Sequence, residues 1–293
     1  MSTPVPEWPT LAYADWAPTR RTLHLVTQIA AKLRARLVPP APRHLELALA
    51  LTSRGITTGP LPLGDRSLEM RLDLIDHLVV LERSDGPRVA VELPASPCVA
   101  DIWVQTVAGL AALDVPAPIR TLSPQPFEGV SDIPMDRDRA ACAYDPQAAT
   151  RFFSVLTAVH NAFLGYRAPW MTTTTLSFWS SSFDLSLEHW REAPPEPVWD
   201  ADVGSADDID LEYVIAGFWP GDERFPEPAF YSFTEPAPAG YAAAQVEPEA
   251  AGWSEELGEF LLRYDDVRAA PDARTALLDF LRSTCEAGRS EEW

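Results

Sequence analysis

The chain contains a single lysine, Lys32, and only three cysteines, and its acidic residues outnumber its basic residues by 43 to 23. The resulting net charge of −20 argues against nucleic acid or an anionic membrane surface as a partner, because both bind clustered basic side chains. The cysteines, Cys98, Cys142 and Cys285, are far apart and odd in number. Their spacing therefore indicates neither a disulfide framework nor a zinc site.

Long apolar runs are missing as well. No run reaches the roughly 18 to 20 residues that a membrane-spanning helix requires. The first residues, MSTPVPEWPTLAYADW, contain neither the basic region nor the apolar region of a signal peptide. From these absences we expect a soluble, cytoplasmic protein that does not act at a membrane.

Common nucleotide-binding and hydrolase motifs are also absent. No glycine-rich phosphate loop follows a strand-like segment, and neither HExxH nor GxSxG occurs. None of the five histidines is paired with another histidine at the spacing of helical metal ligands. We therefore expect no metal and no cofactor.

The apolar residues, 46% of the chain, suffice for a sizeable core, and their periodicity changes along the sequence. An extended aromatic arm over 1–16 precedes an apolar stripe that predicts a helix over 18–38. Alternation with period two then predicts a meander over 44–93, with a hairpin turn at 85–86. A second helix is predicted over 99–113.

The second half of the chain shows a similar order of elements. Asp145 is placed to cap a helix whose first residue is Pro146, and this helix is predicted to end near residue 165. A final helix is predicted over 272–287. Between these helices, the pattern predicts strands over 172–179, 183–188, 213–219, 229–233 and 259–264.

Helix, meander, helix therefore occurs twice, which predicts an α+β fold of antiparallel meanders flanked by helices. The repeated order suggests a pseudo-duplicated pair of α+β units, covering residues 1–122 and 145–293, with a linker over 123–144. One compact domain formed by both units stays open as an alternative. The sequence does not determine the oligomeric state.

The most aromatic stretch, residues 216–233, reads AGFWPGDERFPEPAFYSF and forms two strand-like runs around a Pro-Gly turn. Its large side chains line either a core or a pocket. Asp184 lies in a neighbouring aromatic strand pair, where burial would raise the pKa of its carboxyl and suit a general acid or base. A structural anchor is the alternative role for this residue.

Two histidines are further candidates. His24 and Gln28 are four residues apart and lie on one face of the first predicted helix, beside its buried stripe. The alternative for this polar line is a solvated helix edge. His77 follows Asp76 between two strands and could donate to a carboxylate across the sheet, or it is structural.

Short motifs distributed over nearly the whole chain resemble, in the same order, those of one bacterial family, the domain of unknown function 5996. The motifs are Trp8-Pro9-Thr10-Leu11, Thr22-Leu23-His24-Leu25, Thr52-Ser53-Arg54-Gly55-Ile56-Thr57-Thr58, Gly64-Asp65-Arg66-Ser67, Ser182-Phe183-Asp184-Leu185, Gly217-Phe218-Trp219-Pro220-Gly221, Pro228-Ala229-Phe230-Tyr231 and Gly258-Glu259-Phe260-Leu261. The resemblance implies no known activity.

The resemblance also implies a difference between this chain and the family pattern. That pattern places histidines where this chain has Arg43, Glu46, Ser177 and Leu211. A metal site built on imidazoles is therefore not expected here, and zinc should not stabilise the protein. The polar candidates that remain are His24, Gln28, Arg54, Thr58, His77, Asp184 and Glu212.

Two classes of function stay open. The first is a cofactor-independent enzyme that performs proton transfer, isomerisation or cyclisation on a small, partly apolar organic molecule, as in specialised biosynthesis. Its predicted catalytic residues are Asp184, Glu212 and His24, and its predicted substrate-binding residues are Gln28, Arg54, Thr58, His77, Trp179, Phe218, Trp219 and Tyr231. The second class is a non-catalytic small-ligand-binding or scaffold protein. An enclosed cavity of roughly 300 Å³ at the aromatic residues would favour the enzyme.

Overall fold

The computed structural model describes residues 8–93, 98–115, 124, 133–139, 143–169, 171–191 and 212–289. Its helices are α1 (Tyr13–Leu37), α2 (Val99–Ala112), α3 (Pro146–Arg167), α4 (Tyr264–Ala269) and α5 (Ala273–Gly288). Its strands are β1 (Ala50–Thr52), β2 (Gly55–Thr57), β3 (Leu61–Leu63), β4 (Arg66–Asp73), β5 (Leu78–Arg83), β6 (Arg88–Glu92), β7 (Ser177–Trp179), β8 (Asp184–Trp190), β9 (Tyr213–Trp219), β10 (Ala229–Glu235), β11 (Gly252–Ser254) and β12 (Glu259–Arg263).

The strands form two six-stranded antiparallel sheets. The first sheet has the order β1-β2-β4-β5-β6, with β3 beside β4, and the second has the order β11-β12-β10-β9-β8-β7. Leu49 and Phe178 join them edge to edge, since their backbones exchange hydrogen bonds of 2.9 and 2.8 Å. Helices together with antiparallel, meander-like sheets confirm the predicted α+β class.

Helix α1 runs through the centre of the molecule and is buried over most of its length. It packs against α2, α3 and strands of the first sheet. A helix in this position needs apolar or hydrogen-bonded side chains on every face, which explains its weak amphipathic pattern. Through α1 and α3, residues from both halves of the chain share one hydrophobic core.

The start of α1 differs from the sequence prediction. The helix begins at Tyr13 and includes Pro18, whereas the pattern predicted an extended arm through residue 16 and a helix from residue 18. Trp16 explains the difference, because it is 1% exposed and stacks on Phe152 with ring centroids 4.6 Å apart. Burial of the Trp16 indole stabilises the extra helical turn. This gain offsets the loss of the backbone hydrogen bond that Pro18 cannot donate.

The prediction that the meander begins at residue 44 was also wrong. Residues Pro42–Leu47 form a 3₁₀ helix, in which Arg43 and His44 have left-handed φ angles of 55° and 54°. The Arg34 guanidinium binds the carbonyl oxygens of Leu45 and Glu46 at 3.3 and 2.6 Å. These carbonyls are thus satisfied by a side chain of α1, so the segment needs no strand partner until β1.

Other elements agree with the prediction. The Asp145 side chain accepts from the Gln147 backbone N–H at 2.9 Å and caps α3. Gly86, with φ 113°, lies in the turn between β5 and β6, as predicted.

Two elements of the second half differ from the prediction. Strand β11 was missed, and Tyr264, predicted to end a strand, begins α4. Most of the predicted linker over 123–144 lies outside the described residues.

Within the described part of the chain, no helix is both long enough and apolar enough to span a membrane.

Candidate functional site

Alternation along the strands gives the second sheet two chemically different faces. On the inner face, aromatic and aliphatic side chains of five strands lie side by side and are 0% exposed: Phe178, Leu185, Phe218, Phe230 and Leu262. Helix α5 packs on this face so closely that a Cβ added at Gly288 would lie 3.0 Å from the Cβ of Thr234. The outer face is defined by Trp179, Asp184, Ser186, Glu188, Tyr213, Gly217, Trp219, Tyr231, Phe233 and Glu259.

Asp184, at the start of β8, is a buried carboxyl at one end of the outer face. It is 4% exposed and accepts hydrogen bonds from the hydroxyls of Ser182 and Tyr231. Burial raises the pKa of its carboxyl, and the two hydrogen bonds oppose that rise. Burial and the nearby Asp184 carboxyl also hold the pKa of Tyr231 well above its ordinary value, so its hydroxyl keeps its proton and donates.

Gly217 makes the bond between Tyr231 and Asp184 possible. Strand β9 lies between β8 and β10, so the Tyr231 ring must cross β9 to reach Asp184. A Cβ at position 217 would lie 2.4 Å from the Tyr231 hydroxyl oxygen. Only glycine allows so close an approach of a ring to the backbone, and this position therefore requires glycine despite its low strand propensity.

Aromatic side chains surround this carboxyl. Trp179 pairs with Asp184 across β7 and β8 and donates from its indole nitrogen to the Ser186 hydroxyl oxygen at 3.0 Å. Tyr231 stacks on Phe233 with ring centroids 6.4 Å apart and an interplanar angle of 17°. The outer face around Asp184 is thus apolar, with a small number of fixed polar groups.

Glu259 is the second carboxyl of this region. It lies on β12, next to the strand that carries Tyr231, and its side chain is half-buried. Burial and then the negative charge of Asp184 raise its pKa from 4.5 to about 7. Glu259 therefore exchanges its proton near neutral pH, as a general acid or base must.

The opposite end of the outer face carries an ion pair. Glu188 binds the Arg43 guanidinium at 3.0 Å and accepts from the Trp190 indole nitrogen at 2.8 Å. The same guanidinium lies 4.1 Å from the centroid of the Tyr213 ring. Ser177 lies on the same face as this ion pair, since it pairs with Ser186.

His24 approaches the same region from the inner side. Its Nε2–H donates to the carbonyl oxygen of Ser180 at 2.9 Å, and its ring stacks on Phe183 with centroids 5.0 Å apart. Burial and the charge of Arg20 lower its pKa to about 3. The neutral imidazole of His24 thus stabilises the turn before Asp184 through its hydrogen bond to Ser180, and it does not lie beside the Asp184 carboxyl.

Three further predicted residues lie away from Asp184. Phe218 faces the core with its ring centroid 5.2 Å from that of Phe230, so it lies on the opposite face of the sheet from Trp179. Gln28 is buried one turn after His24 on α1. Glu212 pairs with Arg191 at 3.2 Å at the far end of β9, about 23 Å along the strand from Asp184.

The remaining predicted residues belong to the first sheet. Arg54 binds Asp73 at 2.6 Å and Asp76 at 2.6 Å. Thr58 donates to the Gly59 carbonyl oxygen at 2.7 Å. The Nδ1 atom of His77 lies 2.8 Å from the Tyr144 hydroxyl, a contact that fits the structural role left open by the sequence beside a bond to a carboxylate.

Four of the residues that the sequence named therefore lie on the outer face: Asp184, Trp179, Trp219 and Tyr231. Sequence reasoning did not name Ser182, Ser186, Gly217 or Glu259 as site residues. The alternation of Glu259, Leu261 and Arg263 with Phe260 and Leu262 could have placed Glu259 on a polar face. Its distance in sequence from Asp184 hid their proximity, which depends on the order of strands in the sheet.

Two clefts of about 340 and 360 Å³ occur elsewhere, one along α3 and one between the start of α1 and the segment 226–228. The first has no lining residue on the outer face, and the second reaches that face at Arg263, on β12. Among the described residues, no group of three or more His, Cys, Asp or Glu side chains is arranged to hold a metal ion.

Fold and site together define an α+β protein with two joined antiparallel sheets and, on an aromatic face, one buried and one half-buried carboxyl. The chain belongs to the family of unknown function DUF5996, whose model matches residues 8–293. Comparison with curated proteins returned no match, and neither did comparison with solved structures.

Proposed function

We propose that the protein is a cofactor-independent enzyme that transfers a proton within a small, partly apolar organic molecule. The molecule would bind at the outer face of the second sheet. The observation that carries the proposal is a pair of carboxyls with raised pKa values on one face of the sheet: Asp184, which binds the Tyr231 hydroxyl, and Glu259, on the strand next to that of Tyr231. Titratable groups perturbed by burial and by one another in aromatic surroundings are typical of catalytic sites.

The three groups can be given distinct roles. The Glu259 carboxylate accepts a proton from the substrate, because a pKa of about 7 leaves it partly ionised at neutral pH. The protonated Glu259 then returns this proton to another position of the substrate, while Tyr231, whose hydroxyl donates to the Asp184 carboxylate, orients the substrate through its hydroxyl oxygen. The substrate loses and gains one proton, which is the balance of an isomerisation. Trp179 and Phe233 would contact its apolar part.

His24 serves this site as a positioning residue. Its bond to Ser180 holds the turn from which Ser182 and Asp184 extend to the outer face. We expect a cytoplasmic location and a small molecule as the ligand, without a nucleic acid or membrane partner. Isomerisation and cyclisation chemistry both fit this proton balance.

The test has two stages. Thermal unfolding in the presence of a metabolite panel identifies ligands, because a ligand of the folded state raises the melting temperature. Each ligand is then incubated with the enzyme in D₂O, and deuterium incorporation at carbon is followed by mass spectrometry. Exchange should depend on pH with a midpoint near 7, set by Glu259.

Variants separate catalysis from binding. Glu259→Gln should slow deuterium exchange by about 10²- to 10⁴-fold while ligand-induced stabilisation persists. Tyr231→Phe should slow it as well, and Glu256→Gln, at an exposed carboxylate in the turn before β12, should not. If a ligand stabilises the protein but undergoes neither exchange nor conversion, the enzyme proposal is refuted. That result would support the alternative, a non-catalytic small-ligand-binding protein.

A further inference from the structure

The cleft along α3 is separate from the outer face and has its own chemistry. It measures about 340 Å³ and is bounded by Trp8, Ile75, Phe153, Ser154, Thr157 and Arg274, a set that we call the α3 cleft. This volume lies at the lower end of the range for small-molecule sites. Its walls combine apolar rings, hydroxyls and one cationic side chain.

The apolar wall is held in place although it is open to solvent. Ile75 is 44% exposed, yet its backbone N–H donates to Asp73 at 3.1 Å and the preceding carbonyl accepts from Thr150 at 3.2 Å. Trp8 lies against Tyr264, with ring centroids 6.1 Å apart, and the Tyr264 hydroxyl donates to the next carbonyl, Pro9, at 2.8 Å. When a ligand covers this wall, the burial of apolar surface favours binding. Because the wall is already fixed, little side-chain conformational entropy is lost.

Arg274 supplies the cation. It is exposed in the first turn of α5, two residues after the cap Asp272, where the helix dipole disfavours positive charge. Its backbone N–H donates to the cap Asp272, and its charge interacts with the same carboxylate. Among the described residues, however, its guanidinium forms no side-chain hydrogen bond and no salt bridge, so a bound anion could pair with it.

Gly165 lets the guanidinium lie against α3. One Nη atom of Arg274 is 3.0 Å from the position that a Cβ of residue 165 would occupy. Glycine inside a helix costs roughly 0.5 to 1 kcal/mol relative to alanine. This close approach therefore accounts for a residue that helix propensity alone would not favour.

The hydroxyls of α3 have already used their protons. Ser154 donates to the Thr150 carbonyl at 3.0 Å, and Thr157 donates to the Phe153 carbonyl at 2.8 Å. Their oxygens therefore offer only lone pairs to the cleft, which suits a ligand with an N–H or O–H donor.

We propose that the α3 cleft binds a small, flat organic acid. Its carboxylate would pair with Arg274, its apolar ring would lie between Trp8 and Phe153, and its donor would reach Ser154 or Thr157. Recognition of one carboxylate by one arginine within an apolar cleft is a common arrangement for such ligands. This site does not depend on the outer face.

Isothermal titration calorimetry with indole-3-carboxylate tests the proposal, with indole-3-carboxamide as the uncharged analogue. Wild-type protein should bind the acid at least tenfold more tightly than the amide. Arg274→Gln should remove this preference and weaken acid binding at least tenfold. Arg282→Gln, at an exposed arginine on α5 outside the cleft, should leave binding unchanged, as should Asp184→Asn.

Two further outcomes decide the matter. Ala158→Trp, which fills the cleft from α3, should abolish binding of both compounds while thermal unfolding confirms that the variant is folded. Equal affinity for acid and amide, an undiminished affinity of Arg274→Gln for the acid, or no binding to wild type at millimolar concentrations would overturn the proposal.

Discussion

Replacing Glu259 by glutamine tests the electrostatics of the outer face directly. In the folded protein the pKa of Glu259 is raised from 4.5 to about 7, so the fold favours its protonated form. Between these pH values the native state holds a proton that the unfolded chain has released. The stability contributed by the protonated carboxyl is therefore complete below pH 4.5 and lost as the pH rises to about 7.

The size of the effect follows from the same pKa values. A tenfold change in an equilibrium constant corresponds to about 1.4 kcal/mol, so the full rise would correspond to about 3 kcal/mol. Because the side chain is only half-buried, solvent screening reduces this to about 2 to 3 kcal/mol. Glutamine resembles the protonated form and does not ionise, so Glu259→Gln should equal wild type at pH 4 and exceed its stability by this amount at pH 8.

Urea unfolding followed by tryptophan fluorescence at several pH values between 4 and 8 measures the difference. Glu256→Gln is the control, because that carboxylate is exposed in the turn before β12. In an Asp184→Asn background the gain at pH 8 should shrink, since the charge of Asp184 is the second cause of the raised pKa. A difference between wild type and Glu259→Gln that stays constant with pH would refute the reasoning.

Three other variants probe the scaffold around the site. Gly217→Ala should lower the free energy of unfolding by about 1 to 3 kcal/mol, because the added Cβ displaces Tyr231. Gly252→Ala is the control, since its new Cβ would meet nothing within 4 Å. Equal losses of the two variants in urea unfolding would argue against the crossing of Tyr231 over β9. Asp145→Ala should cost about 1 kcal/mol in thermal unfolding through loss of the α3 cap, and an unchanged melting temperature would contradict this. The contribution of His24 to stability should fall from pH 6.5 towards about 3, because only the unfolded chain protonates this residue there. The stability difference between wild type and His24→Gln should follow this fall, and a difference that does not change with pH would speak against a buried neutral imidazole.

Much of the fold followed from local patterns. The cap at Asp145, the turn at Gly86 and the alternation of β9 and β10 each depend on a few neighbouring residues, and the structure contains all of them. The meander predicted from residue 44 begins only at β1, because Arg34, ten or more residues earlier, binds the carbonyls of the segment before it. Long-range hydrogen bonds of this kind leave no trace in hydrophobic periodicity.

The site divides in the same way. The sequence by itself placed Asp184 among aromatic strands and identified Trp179, Trp219 and Tyr231 as its neighbours, since composition and alternation are local properties. Only the tertiary structure decided that Phe218 faces the core and that Glu259 lies next to the strand of Tyr231.

The physical reason is that strand order and register determine which side chains share a face. Gly217 illustrates this, because its lack of a side chain acquires a purpose only when the Tyr231 ring crosses over it towards Asp184. Burial then raises the pKa values of two carboxyls that in the unfolded chain would be ordinary acids. The sequence determined which groups were present, and the fold determined their protonation.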